Sequence, residues 1–364
     1  MSNISSKTFE GNYFEDFKMG QILRHATPRT ITTGDVSLYS ALYGMRFALQ
    51  SSDEFARNVG YAGNGGLESA PVDDLLAFHV VFGKTVPDIS INAVANLGYA
   101  DCRFLLPVYP GDTLRAVSTV IGLKENSNGK TGNVYVRTEG VNQLGEPVLE
   151  YVRWVMINKR TPNPAESAPE AVLPDLPEAV RLEDLTIPEG LSYVTYESSL
   201  AGSDYMWEDY AVGEKISHVD GMTIEAADHM LATRLYQNTA KVHFNLHAMK
   251  EGRLGERIVY GGHVISLARA LSFNGLSNAQ TVLAINAGRH VNPCIAGDTV
   301  YAWSEVLDKA EVPGRDDLGA LRVRLVALKD KTPEGFPYKT PEGKYDPAVL
   351  LDLDIWLLLP RRMA

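Results

Sequence analysis

The chain has 364 residues, 45% hydrophobic and 22% charged, a make-up that suits a soluble globular protein of two ordinary domains. Its net charge of −11 argues against nucleic acid or an anionic membrane surface as the main partner, so an anionic ligand would need a local basic pocket. Cys102 and Cys294 make no metal-type spacing, and no apolar run of about 18 residues occurs, so the expectation is a cytoplasmic protein with two buried free thiols.

In chain order, "FEDFKMGQ" (14–21) leads through a turn to a short helix within "TITTGDVSLYSALYG" (30–44). The Gly-rich "YAGNGG" (61–66) lacks a following Lys-Ser/Thr and reads as a flexible insertion, not a phosphate loop. An apolar helix follows at "PVDDLLAFHVVFG" (71–83), with Asp73 and Asp74 placed to cap its start, where negative charge is favoured. Three runs rich in β-branched and aromatic residues come next: "DTLRAVSTVIGL", "NVYVRTEGV" and "VLEYVRWVMI". The segment 161–190 then holds six of the 19 prolines and seven acids against one Arg, the composition of an extended linker lying on the surface.

Beyond the linker the chain repeats itself. "FEDFKMGQ" returns as "WEDYAVGE" (207–214), and "TITTGDVSLYSALYG" lies over "TIEAADHMLATRLYQ" (223–237), both at an offset of 193. "RFLLPVYPGDTL" (103–114) matches "RHVNPCIAGDTV" (289–300) at 186, and the ends pair Trp154 with Trp356. Order is kept while the offset drifts, as loop insertions in a tandem duplication produce. In the second copy Val264, Leu267, Ala268 and Leu271 fall at helical spacing on one stripe, with the first copy's apolar helix at the same place. A helix followed by antiparallel strands, twice, predicts an α+β protein whose two sheets merge side by side. The expected units are 11–160, a linker 161–205, and 206–364.

The signature "PVYPGDT" (107–113), repeated as "PCIAGDT" (293–299), resembles that of the MaoC-like hot-dog fold of type-2 enoyl-CoA hydratases. Two copies in one chain resemble its double hot-dog form. "TRLYQNTAKVHFN" (233–245), "IVYGGHVISLARALSFNGL" (258–276) and "AINAGRHVNPCIAGDT" (284–299) are most similar to the family's mesaconyl-CoA hydratase branch. The resemblance implies a long helix wrapped by a curved antiparallel sheet in each half. It also implies a reversible hydro-lyase acting on an acyl-CoA. The family carries an Asp and a His that act together on water after the first helix. His243 matches that His, Asn238 stands at the Asp, and Ala240, Lys241 and Asn245 replace Asn, Pro and a second Asp. The same positions of the first copy are Met45 and Gln50, which move no proton, so the resemblance implies a silent first copy. Gly261 and Gly262 match the family's His-Gly element at the start of the central helix.

Hydration of an α,β-unsaturated thioester needs a base for water, a proton donor for the α-carbon and a hold on the thioester oxygen. His is the natural base near neutral pH, and N–H groups at a Gly-rich helix start suit the oxygen. His243 is therefore the expected base, Asn238 a hydrogen-bonding orienter, and the Gly261 N–H the oxygen ligand, with Gly262 beside it. Either His243 moves both protons, or a second residue helps; Tyr260 and His263 are nearest in sequence. The plainer readings stand beside these: a lone His on the surface or in the core, and a Gly pair that only permits close packing. His247 is four residues from His243, but no Glu or Cys completes a metal set. A free substrate carboxylate calls for an Arg; of Arg46, Arg234 and Arg289, Arg46 is preferred, because Arg289 has Arg103 as repeat partner and suggests a structural ion pair. No separate cofactor is expected, CoA entering as part of the substrate. The partners expected are a small acyl-CoA and a second copy of the chain, with no nucleic acid and no membrane. A thioesterase on the same fold and a non-catalytic acyl-CoA-binding protein are the competing readings.

Overall fold

Two five-stranded sheets, one from each repeat, join edge to edge into a single antiparallel sheet of ten strands. The computed structural model describes residues 7–61, 63, 69–162, 170–252 and 254–362. The first half contributes β1 (Ile22–Thr30), β2 (Ala93–Phe104), β3 (Thr113–Glu125), β4 (Thr131–Val141) and β5 (Pro147–Asn158). The second contributes β6 (Lys215–Thr223), β7 (Thr281–His290), β8 (Thr299–Glu311), β9 (Leu318–Lys329) and β10 (Val349–Pro360). Their order, β1-β3-β4-β5-β2-β7-β10-β9-β8-β6, reads the same from either edge once the repeat is applied. The duplication is therefore a pseudo-twofold, and β2 against β7 is its seam, with Tyr99 opposite Gly288 and Arg103 opposite Ala284.

Each half wraps its sheet around a central helix, Asp74–Ile89 in the first and Gly261–Leu271 in the second. The stripe of Val264, Leu267, Ala268 and Leu271 is buried as its spacing predicts. The rest of that helix from Gly262 onward is buried too, because its other faces meet the opposite half. Repeat-equivalent residues touch at the axis: Tyr43 and Tyr236 share a hydroxyl hydrogen bond of 2.8 Å, and His79 Nε2 lies 3.0 Å from Ser266 Oγ.

Two expectations need correction. Asp73 and Tyr260 are the two N-caps, which puts Asp74 at the position of Gly261. Asp73 does cap its helix, accepting from the Leu75 N–H, whereas Asp74 accepts from the Val282 N–H across the seam at 2.9 Å. The linker is not simply a surface strap either. Val180, Leu191, Tyr193 and Ala201 are buried against Leu49, Phe55, Tyr61 and Leu358. Its backbone is tied by Val180 N–H to Asn286 Oδ1 at 2.9 Å and Tyr193 N–H to Asp317 at 2.7 Å. Proline limits the segment to single turns at Leu182–Asp184 and Ser198–Ala201 and one bridge between Val172 and Leu123, but it does not stop the apolar residues between prolines from being buried. Residues 163–169 of the linker, and most of the 61–66 stretch, lie outside the described residues.

Gly83 lies inside the first central helix, where Gly is about 1 kcal/mol worse than Ala. A Cβ there would run into the carbonyl of Tyr236, two residues before Asn238. Gly83→Ala should therefore lower stability despite the better helix propensity, with a fall in Tm of several degrees by calorimetry. A Tm unchanged or raised would show that the two halves do not meet so closely.

Burial also pushes His79 and His263 down to about 3 and His218 to about 4, from an ordinary 6.5. Between those values the unfolded chain binds more protons than the folded one, so stability falls as pH drops below 6.5. Urea midpoints measured at pH 7.5, 6 and 5 should decline stepwise, and a flat series would contradict neutral buried imidazoles.

Candidate active site

At the seam lies a cavity of about 310 Å³, and both halves wall it. The second half supplies Asn238, His243, Tyr260, Gly261 and His290, and the first supplies Phe82, Asn96, Tyr99 and Arg153. None of its described lining residues is a carboxylate.

His243 sits in a one-turn helix, Lys241–Phe244, that follows the helix Ala226–Leu235. The loop behind it is strung between Val242 and the strand-end loop, through Ile258 N–H to Val242 O at 3.0 Å and Val259 N–H to Cys294 O at 2.8 Å. That places the Ile258 carbonyl 2.9 Å from His243 Nδ1. A carbonyl only accepts, so Nδ1 carries the proton and Nε2 keeps its lone pair. Burial lowers the pKa of this imidazole more than the Ile258 hydrogen bond raises it, which keeps the ring neutral at neutral pH. The group is a base in its reactive tautomer.

Asn238 is buried, and its Oδ1 accepts from the Ala240 N–H at 3.1 Å. Only the oxygen can accept from that N–H, so the amide orientation is settled and the NH₂ is left without a partner among the described residues. The preceding Gln237 has φ 53, where its repeat counterpart Gly44 has φ 57. A left-handed Gln is a strained substitute for Gly, and the Lys84 ammonium from the first half bonds its side chain.

The two glycines differ. Gly261 lines the cavity as the first residue of the central helix, and its N–H meets no acceptor among the described residues. A Cβ there would enter the His290 ring, so Gly lets the helix start close against it. Gly262 does not line the cavity; a Cβ on it would strike Tyr260 and His79, so its job is packing. Tyr260 does line it, with its ring 5.5 Å from that of His243 and its buried hydroxyl unpartnered.

His263 is turned away, its Nδ1 2.9 Å from the Tyr43 hydroxyl, because two residues along a helix reach a different face. Arg46 stacks on Phe273 at 4.4 Å and is not among the lining residues. Arg234 and Arg289 are exposed, and the ion pair expected of Arg289 belongs instead to Arg103, with Asp101 at 3.0 Å. His247 is exposed.

His290 and Arg153 were not anticipated. His290 Nε2 lies 3.1 Å from the Tyr99 hydroxyl, and burial with His243 nearby pushes its imidazole down to about 4. Its repeat counterpart is Phe104, so the contrast that singles out His243 against Gln50 also marks His290. In the first half the equivalent hollow is about 20 Å³, lined by Gln50 and Asp74 and walled by Thr186 and Pro188 of the linker.

The chain as a whole is similar to known proteins. A β-methylmalyl-CoA dehydratase of Chloroflexus aurantiacus is 64% identical, covering 99% of this chain and all of that one. A mesaconyl-CoA hydratase of Cereibacter sphaeroides is 62% identical over 98% of this chain and all of that protein. The crystal structure of a MaoC domain protein dehydratase from Chloroflexus aurantiacus superposes with a TM-score of 0.94 at 64% identity, covering 99% of this chain and all of that one. A double-hotdog protein of Mycobacterium tuberculosis, 23% identical, shares the fold over 97% of this chain and 99% of its own, with a TM-score of 0.76. The family pattern for mesaconyl-CoA hydratase runs through residues 3–336, across both halves and the cavity between them. With the fold and the long-range identity in agreement, the chain belongs to the mesaconyl-CoA hydratase family, within the MaoC-like double hot-dog proteins.

Proposed function

We propose that this protein is a hydro-lyase that reversibly adds water across the double bond of mesaconyl-CoA to give β-methylmalyl-CoA. The observation that carries the reading is the free Nε2 of His243, made a lone-pair donor by the Ile258 carbonyl and facing the same cavity as the Gly261 N–H. Water held by Asn238 and His243 gives one proton to Nε2 while its oxygen bonds to the β-carbon. The π electrons move onto the thioester oxygen, whose growing charge is met by the Gly261 N–H and the positive end of its helix. The enolate then takes a proton at the α-carbon from the His243 imidazolium. One water is added, and the base ends neutral. Dehydration is the reverse.

The absence of any carboxylate among the described lining residues disfavours the thioesterase reading, which asks for an acid to activate water at the carbonyl. Gln50 and the filled hollow around it support a first half without turnover. The same proposal has CoA entering only as part of the substrate, and a cytoplasmic homodimer as the working form, which sedimentation would check. Among the described residues no helix is long and apolar enough to cross a membrane.

Incubation with mesaconyl-CoA should remove enoyl-thioester absorbance without releasing thiol; thiol release would instead establish a thioesterase. His243→Ala should cut kcat by about 10²–10⁴ while leaving the circular dichroism spectrum unchanged. Survival of activity within about tenfold would remove His243 as the base. Because burial lowers the His243 pKa, the acid limb of kcat/KM should fall below the ordinary histidine value of 6.5. A limb above it would contradict a desolvated base.

A further inference from the structure

One feature of the cavity is not used by the hydration chemistry: a buried cation with no anion beside it. Arg153 on β5 has 0% exposure and lines the cavity. Its Nη1 donates to Ser90 Oγ at 2.9 Å and Asn96 Oδ1 at 3.5 Å, and its Nη2 donates to Thr85 Oγ1 at 2.7 Å. The guanidinium lies 4.3 Å over the Phe82 ring. Every one of these partners is neutral. Arg269, also buried, has Asp73 and Asp74 as electrostatic partners, whereas the electrostatic partners of Arg153 among the described residues are Tyr151, Tyr99 and Tyr260, with no carboxylate. Burying an uncompensated charge is costly, and a guanidinium cannot shed its proton to escape the cost.

Two N–H groups at this end of the cavity are also orphaned. Arg153 Nε and Asn96 Nδ2 are buried and have no hydrogen-bond partner, although both residues line the cavity. The donors of Arg153 still free are therefore Nε–H and one on Nη2, the pair that grips a carboxylate side-on. The repeat shows that the cation is no requirement of the fold. With Trp154 over Trp356, the counterpart of Arg153 is Ile355.

We propose that Arg153, assisted by Asn96, is the anchor for a free carboxylate on the acyl group of the substrate. The identity of that acyl group rests on the hydration reading; the anion subsite rests on the orphaned donors. The His243 ring stands 5.5 Å from Tyr260, Tyr260 stands 5.7 Å from Phe82, and Phe82 lies under the guanidinium. A run of aromatic rings thus connects the base to the cation, and both line one cavity. A trans double bond points its terminal carboxylate away from the thioester, so Gly261 holds one end of the acyl group and Arg153 the other. Neutralising the carboxylate also offsets its repulsion of the enolate charge that builds as water adds.

The test is equilibrium binding of two unreactive ligands, methylsuccinyl-CoA with its carboxylate free and the same compound with that group as its amide. The wild-type protein should prefer the acid by tenfold or more. Arg153→Gln should abolish the preference while binding the amide within about threefold of wild type, a control that the variant folds. Arg153→Lys should keep part of the preference but not all, since Lys lacks the fork. With mesaconyl-CoA, Arg153→Gln should lose about 10²-fold in kcat/KM. No preference in the wild type, or a preference that survives in Arg153→Gln, would overturn the anchor. Preference for the acid without turnover of mesaconyl-CoA would keep the anchor and remove the hydration reading, so the two failures are distinguishable.

Discussion

The pairing of β2 with β7 is the contact on which the rest depends. It turns two five-stranded sheets into one and closes an edge that each half would otherwise expose. It also brings Phe82, Tyr99 and Arg153 of one repeat within reach of His243, Gly261 and His290 of the other. Neither half contains the cavity by itself. The hydroxyl pair of Tyr43 and Tyr236 and the contact of His79 with Ser266 mark the axis, so residues that descend from one ancestral position now stabilise the seam against each other.

The two pseudo-equivalent hollows have taken opposite courses. The second keeps an imidazole at His243, an open helix start at Gly261 and room for a ligand. The first has Gln50 and Asp74 in the matching places, and the linker has moved in over them. Asp74 shows the consequence of that closure: burial, with Asp73 beside it, pushes its carboxyl up to about 8. An acid in such surroundings serves the structure, here by receiving the Val282 N–H from the partner sheet. Thr186 and Pro188 of the linker wall that hollow, and Val180, Leu191 and Tyr193 are buried in the same apolar cluster as its lining residues Leu49 and Tyr61.

The working cavity is arranged to keep its imidazoles neutral. His243 and His290 are both desolvated, and His243 further disfavours charge on His290. An amide at Asn238, where a carboxylate could stand, fits that setting. An ionised carboxylate beside His243 would favour the imidazolium and oppose the negative charge developing on the substrate, whereas an amide orients water without either effect. With Arg153 as the cation in the wall, the field in the cavity favours an anionic acyl group despite the overall charge of −11.

Much of the fold was legible in one dimension. The repeat, its drifting offset and the helical stripe at Val264–Leu271 determined a duplicated α+β architecture, because sheet and helix periodicities are local properties. His243 stands out the same way, as a titratable residue opposite a Gln in the sister copy, and His290 opposite Phe104 carries a similar signal. The seam strands were harder to see, since β2 and β7 contain Gly, Asp and Asn where an outer strand would carry β-branched residues. Only the tertiary structure decided which glycine faces the cavity, that His263 turns towards Tyr43, and that Arg153 in place of Arg46 stands in its wall. Those outcomes depend on which side of a helix a residue occupies and on which elements a pseudo-twofold axis brings together. A charge's neighbours in space are set by the packing of both halves, and spacing along one chain does not encode them.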